Sequence, residues 1–201
     1  MSSKICYSNL MTGRTHDMAA FTTLVGVMAF FPMPTITLST AIVSLGANML
    51  GGVMPDIDQP TGVIWHKLPL GTWYSRLFTP FLGGHRYISH SIVGIFLFGY
   101  LSWWGLTLIS HVLLVDIKVV WDCFMIGFLS HLVMDTITRE GVPWFFPIPI
   151  RIGIPPMKAF RVATGGLIER FLIFPGLIVM TGYIVYSFHS KFILLLHHYI
   201  R

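Results

Sequence analysis

The sequence predicts an all-α, polytopic transmembrane helix bundle of about four to five spans, forming a single membrane domain over residues 1–201. Three observations predict it. Hydrophobic residues make up 54% of the chain and charged residues only 10%, against about 25% charged in a soluble domain. Mean hydropathy is +0.73. The apolar residues also fall into long runs separated by polar loops punctuated with Gly and Pro. A soluble globular enzyme, a disordered chain and a secreted disulfide scaffold are excluded. Cys6 and Cys123 make neither a metal-type spacing nor a disulfide framework.

Residues Met18 to Met54 contain no charge, a run too long for one span, and Pro32-Met33-Pro34 breaks it. Proline removes a backbone donor and clashes with the preceding turn, so a hairpin with arms 15–31 and 35–54 is expected. The first arm is short for a hydrocarbon core of about 30 Å, and partial insertion is expected of it. A polar loop, 55–86, follows. The third span covers 87–110 and the fourth 119–137, the latter containing Asp122 and His131. A second polar loop, rich in Pro and basic residues, runs over 138–170, and the fifth span covers 171–188. The first residues, with Lys4, Arg14 and Asp17 and no small-residue cleavage site, do not read as a cleaved signal peptide.

The formal charge is +5. In a membrane chain Lys and Arg fix topology, so this charge is not read as nucleic-acid binding. With the N-terminus in the cytoplasm and five spans threaded, ten of the 13 Lys and Arg fall inside; Lys118, Lys191 and Arg201 fall outside. That bias places both large loops in the cytoplasm.

Histidine took no part in that count. Yet His16, with Asp17, lies where the first span begins, and Asp56 and Asp58 where the second ends. His85 and His90 lie where the third begins, and His131 and Asp135 where the fourth ends. All four clusters therefore meet the cytoplasmic interface. His131 and Asp135 are i and i+4, on one face of a helix. Ser89 is a candidate N-cap. Asp56 and Asp58 would point the same way if their segment were extended. Imidazole with carboxylate suits zinc, manganese or iron, one ion or two. Intramembrane ionisable residues are functional candidates by default. Lone histidines at the interface (His66, His111, His189, His197 and His198) read as polar anchors, and Asp122 as a buried partner for Lys118.

Gly84-His-Arg-Tyr-Ile-Ser-His-Ser91 resembles a G-H-R-x-x-[ST]-H-S motif. Met54-Pro-Asp-Ile-Asp58 precedes it, and Ser130-His-Leu-Val-Met-Asp-Thr-Ile-Thr138, Gly141-Val-Pro143 and Pro147 follow. In this order, from about His16 to Arg170, they resemble the YdjM-like family of bacterial inner-membrane proteins. Members are described as metal-dependent hydrolases, with expression in some tied to the LexA-controlled DNA-damage (SOS) response. The resemblance implies His16, Asp56, His90, His131 and Asp135 as ligands, with His85 a further metal candidate. Asp58, Arg86, Glu169 and Arg170 are then the candidate catalytic residues, the last two in a Gly165-Gly-Leu-Ile-Glu-Arg170 segment that resembles a late family segment. Two departures are Ser89 for the usual Thr and Asp17 after His16. The order His, Asp, His, His-x-x-x-Asp is also similar to zinc-dependent phospholipase C and the single-strand nucleases, without their later His-x-x-x-Glu pair.

The expected function is a membrane-embedded metal-dependent hydrolase of a phosphoester or ester in a lipid or amphiphilic substrate. In that reading Asp58 takes a proton, and Arg86, with Arg170, stabilises charge developing on oxygen. The alternatives are a metal-ion or proton transporter, which would hold its ligands near the midplane of repeated halves, and a metal-stabilised, non-catalytic adaptor induced by stress. No H-E-x-x-H or G-x-S-x-G occurs, against a zincin protease or a serine hydrolase.

Overall fold

The computed structural model describes residues 8–59, 62, 65, 71, 73, 75 and 86–199. It is helical, and among the described residues only two isolated bridges, Thr138 with Val162 and Val142 with Ile152, pair extended backbone. The helices are α1 (Ser8–Phe30), α2 (Leu38–Val53), α3 (Ile92–Ile109), α4 (Ile117–Thr136), α5 (Phe174–Ser187) and α6 (His189–Tyr199). A 3₁₀ turn, Met54–Asp58, extends α2, and a π turn, Glu169–Ile173, leads into α5.

Among the described residues, four helical stretches are long and apolar enough to cross a membrane: Leu38–Asp58, Ile92–Ile109, Ile117–Thr136 and Glu169–Ser187. The chain is a multi-pass membrane bundle. Helix α1 is not one of the four. It is longer than the expected arm, but its first half carries Arg14, His16 and Asp17.

Caps define the ends. Thr37 accepts from the Thr40 amide at 3.2 Å, and Asp116 accepts from the Lys118 and Val119 amides. Ser91, not Ser89, caps α3, accepting from the Gly94 amide at 3.1 Å. Each supplies an acceptor to an otherwise orphaned first-turn donor.

Helix α4 is the hub, packed against α1, α2 and α3, with Phe124, Phe128 and Leu132 in the principal core cluster. Its contact with α2 is close because glycines face each other across it. A Cβ on Gly127 would collide with the Asn48 carbonyl oxygen, and one on Gly51 with that of Phe124. Small residues of this kind allow membrane helices to approach backbone to backbone. Asn48 seals the seam by donating to the Cys123 carbonyl at 3.1 Å. Helix α5 packs on α1, where Thr22 and Thr181 hydroxyls lie 2.8 Å apart. Lys191 of α6 donates to the Ala29 and Phe31 carbonyls at the end of α1.

The loop after α4 is folded around buried Arg161, which donates to the carbonyls of Pro155 and Pro156 at 2.7 and 2.9 Å. Asp122 does pair with Lys118, at 2.7 Å, but the side chains are 42% and 72% exposed. This is a surface i,i+4 pair rather than a buried one, because that turn of α4 faces outward.

Replacing Gly127 with Ala should destabilise the bundle by about 1–3 kcal/mol through overpacking, read as a lower thermal midpoint in detergent. Gly105→Ala, where a Cβ meets nothing within 4 Å, should leave the midpoint unchanged or raise it slightly. Equal midpoints for both variants would refute the close-approach account.

Candidate metal centre

Helix α4 supplies the centre's floor. His131 and Asp135, one turn apart, are both fully buried. The Nδ1–H of His131 donates to the Gly52 carbonyl at 2.6 Å, a contact that the α2–α4 glycine seam makes geometrically possible. With Nδ1 carrying the proton, Nε2 presents its lone pair to Asp56 Oδ1 at 3.6 Å and to Asp135 Oδ2 at 3.7 Å. A ligating histidine is commonly oriented by a carbonyl in this way.

The second piece is the turn after α2. It is 3₁₀ rather than extended, so Asp56 and Asp58 do not share a face. They contact opposite edges of His90 instead: Asp56 Oδ1 lies 3.8 Å from Nε2, and Asp58 Oδ2 lies 3.3 Å from Nδ1. Pro55 in the first turn favours the helical φ, which explains the difference.

The segment before α3 is the third piece. Arg86 adopts a left-handed conformation, φ 60°, costly for a residue with a Cβ and typical of functional segments. There its amide donates to Asp58 at 2.8 Å. Ser89 also donates to Asp58, and its hydroxyl lies 2.9 Å from His90 Nδ1. Asp58, fully buried, therefore sits behind His90, on the side away from Asp56.

Helix α1 closes the centre. The His16 ring stacks on His131 with centroids 3.9 Å apart, and its Nε2 lies 3.4 Å from Asp135 Oδ1.

Two overlapping groups can thus hold a cation: Asp56, His90 and His131, and His16, His131 and Asp135. The spacings fit. His90 Nε2 lies 3.3 Å from Asp135 Oδ2; with the separations above, neighbouring donor atoms stand 3.3 to 3.8 Å apart. Ligands about 2.0–2.2 Å from a tetrahedral cation would stand about 3.3–3.6 Å from each other, whereas a direct N–H···O bond is about 2.9–3.0 Å. Among the described residues His131 Nε2 and Asp135 Oδ2 are buried with no hydrogen-bond partner, a costly arrangement unless something occupies the space between them. Of these side chains only that of Asp56 reaches solvent appreciably, at 23% exposure.

All five residues expected as ligands converge. The other candidates lie elsewhere. The Arg86 guanidinium is turned inward, donating to Asp135 Oδ1 and Thr138 Oγ1, both at 2.9 Å. Glu169 is buried and accepts from the Gly165 amide at 2.6 Å, beside His16 in a shared cavity. Arg170 is exposed, its guanidinium over the Phe171 ring. His85 and His66 lie outside the described residues. His111, His189 and His197 are exposed. Sequence reasoning missed two contributors, the Gly52 carbonyl and Thr138. The Gly51-Gly52 pair is plain in the sequence, but nothing local marks it as the acceptor that sets a histidine tautomer.

A family model described as the YdjM inner membrane protein matches residues 11–195. The chain is 27% identical over 183 residues to an uncharacterised protein, YvsG, of Bacillus subtilis, covering 90% of this chain and 99% of that one. It is also 27% identical over 120 residues to the inner membrane protein YdjM of Escherichia coli, covering 60% of this chain and 56% of that one. No solved structure matches.

Asp58→Asn keeps the size of the side chain but removes the charge behind His90. Metal affinity should fall about 10–100-fold, as when the hydrogen-bond partners that orient ligating histidines are removed, with the fold retained. Isothermal titration with zinc checks this, and unchanged affinity would remove Asp58 from its orienting role.

Proposed function

The chain belongs to the YdjM inner membrane protein family, and from that premise we propose that it is an inner-membrane, metal-dependent hydrolase of a phosphoester or ester in a lipid or amphiphilic substrate. The observation that carries the reading is the convergence of Asp56, His90, His131 and Asp135 on one partly open point, with His16 against it. Zinc suits this nitrogen–oxygen donor set best, with manganese or iron as alternatives. A divalent cation there would supply Lewis acidity and a water acidified to a pKa of about 7.

The protein's own groups do the rest. His131 and His90 are held in fixed tautomers by Gly52 and by Asp58 with Ser89. Arg86 neutralises the Asp135 oxygen that faces away from His90, and Asp56 is the ligand most exposed to solvent. Asp56, His90 and Asp135 come from the ends of helices, as suits a substrate met at the membrane surface, and His16 stands about two turns inside α1. The N-terminus and both polar loops are assigned to the cytoplasm on the Lys/Arg bias, so the site faces that side.

Elemental mass spectrometry on detergent-purified protein tests the metal. Wild type should carry about one equivalent of zinc, manganese or iron, and a His131→Ala/Asp135→Ala double variant should carry none while remaining in the membrane. No specific metal in wild type, even after reconstitution, would overturn the reading. Topology is checked separately: a reporter fused after Gly71 should read cytoplasmic, and a periplasmic signal would reverse the assigned orientation.

A further inference from the structure

A second cavity adjoins the centre. It measures about 60 Å³ and is lined by Arg14 and Thr15 of α1, Gly165 and Gly166 of the preceding turn, and Glu169, Arg170 and Phe174. A narrower cavity of about 20 Å³ shares Thr15 and Glu169 with it and reaches His16. The larger space holds several waters, at about 10–15 Å³ each. That is room for a small polar group and not for a whole lipid.

Its chemistry is mixed. Glu169 is 7% exposed. One oxygen accepts from the Gly165 amide; the other, Oε1, is buried and has no hydrogen-bond partner among the described residues. Gly165 turns at φ +72° to present that amide, and the π turn beginning at Glu169 aims the carboxylate. Among the described residues no ion pair joins Glu169 to Arg14 or Arg170, both exposed at the rim. A buried, half-satisfied carboxylate calls for a cationic or donor group. Two arginines call for an anion, phosphate above all. A purely anionic ligand would meet the carboxylate, and a purely cationic one the arginines. Glu169 also opens the span Glu169–Ser187, so the cavity sits at headgroup depth.

We propose that this cavity is the headgroup subsite of the substrate, taking an ammonium-bearing phosphoester whose ammonium binds Glu169 and whose phosphate lies between Arg14 and Arg170, beside His16. The proposal rests on the hydrolase reading and names its substrate class. The ammonium and phosphate can belong to a phospholipid or to a free aminoalkyl phosphate.

The test is binding, measured by native mass spectrometry on the full chain in detergent and chelator, titrated with phosphatidylethanolamine or phosphatidylglycerol. Wild type should prefer the ethanolamine lipid about tenfold, the worth of one charge-assisted hydrogen bond. Glu169→Gln should abolish the preference, and Arg14→Ala, a change at an exposed site, should weaken both lipids together. Competition by soluble phosphoethanolamine identifies a free headgroup as sufficient; binding of the lipid without such competition identifies the lipid as the ligand. No preference in wild type, or a preference unchanged in a Glu169→Gln protein that still takes up metal, would overturn the proposal. Because turnover is absent in chelator, the two readings fail separately. Lack of metal-dependent hydrolysis sinks the hydrolase and leaves the preference standing, whereas loss of the preference with hydrolysis intact sinks only the subsite.

Discussion

Asp135 is a carboxylate with no exposure to solvent, and the surroundings of its two oxygens organise the molecule. Oδ1 takes a charge-assisted bond from Arg86 and faces His16. Oδ2 faces His90 and His131 and, among the described residues, accepts no hydrogen bond. A buried charge is tolerable only when other charges or donors surround it closely. Those groups must arrive from α1, from the turn before α3 and from α4 itself, and the end of α2 must bring Asp56 alongside. The α2–α4 glycine seam, the left-handed Arg86 and the stacking of His16 on His131 are the backbone and ring arrangements by which they arrive.

This dependence explains which parts were legible in the sequence. Hydropathy located the long apolar helices, because apolar length is a local property; α6, beyond the last expected span, was not among them. The His/Asp clusters were legible because charges at the ends of apolar runs stand out, and because His131 and Asp135 repeat at helical spacing. What failed was conformation over short polar stretches. Alternation suggested a shared face for Asp56 and Asp58, but Pro55 began a 3₁₀ turn that separated them. Ser89 and Ser91 are equally good caps by type; tertiary demand decided between them, since Asp58 recruits Ser89 and leaves Ser91 for the helix. Arg86 offered a fork for an outside anion, yet an inside anion, Asp135, has the stronger claim in a dry environment.

The inward turn of Arg86 also shifts the division of labour around the centre. Its guanidinium lies against Asp135 and Thr138, so the cations available to a substrate are those on the far side of His16, Arg14 and Arg170. In the proposed reading, recognition and chemistry lie on opposite flanks of one histidine. Helix α1 carries both His16 and Arg14, which makes it the element that couples them, and its modest apolar character follows from carrying these groups at its first half.

Depth decides between the broad classes of function. A transporter needs its ligands accessible in turn from both sides, which favours broken helices near the midplane. Here Asp56 comes from the turn after α2, His131 and Asp135 from the last two turns of α4 and His90 from the segment before α3, while His16 stands about two turns inside α1. The remainder of α4 beneath them is filled by Phe128, Phe124 and Val120, each buried. A cation at this centre would have the partly exposed Asp56 on one side and a packed hydrophobic column behind it. That asymmetry suits a site that works on what reaches one membrane face and releases it there.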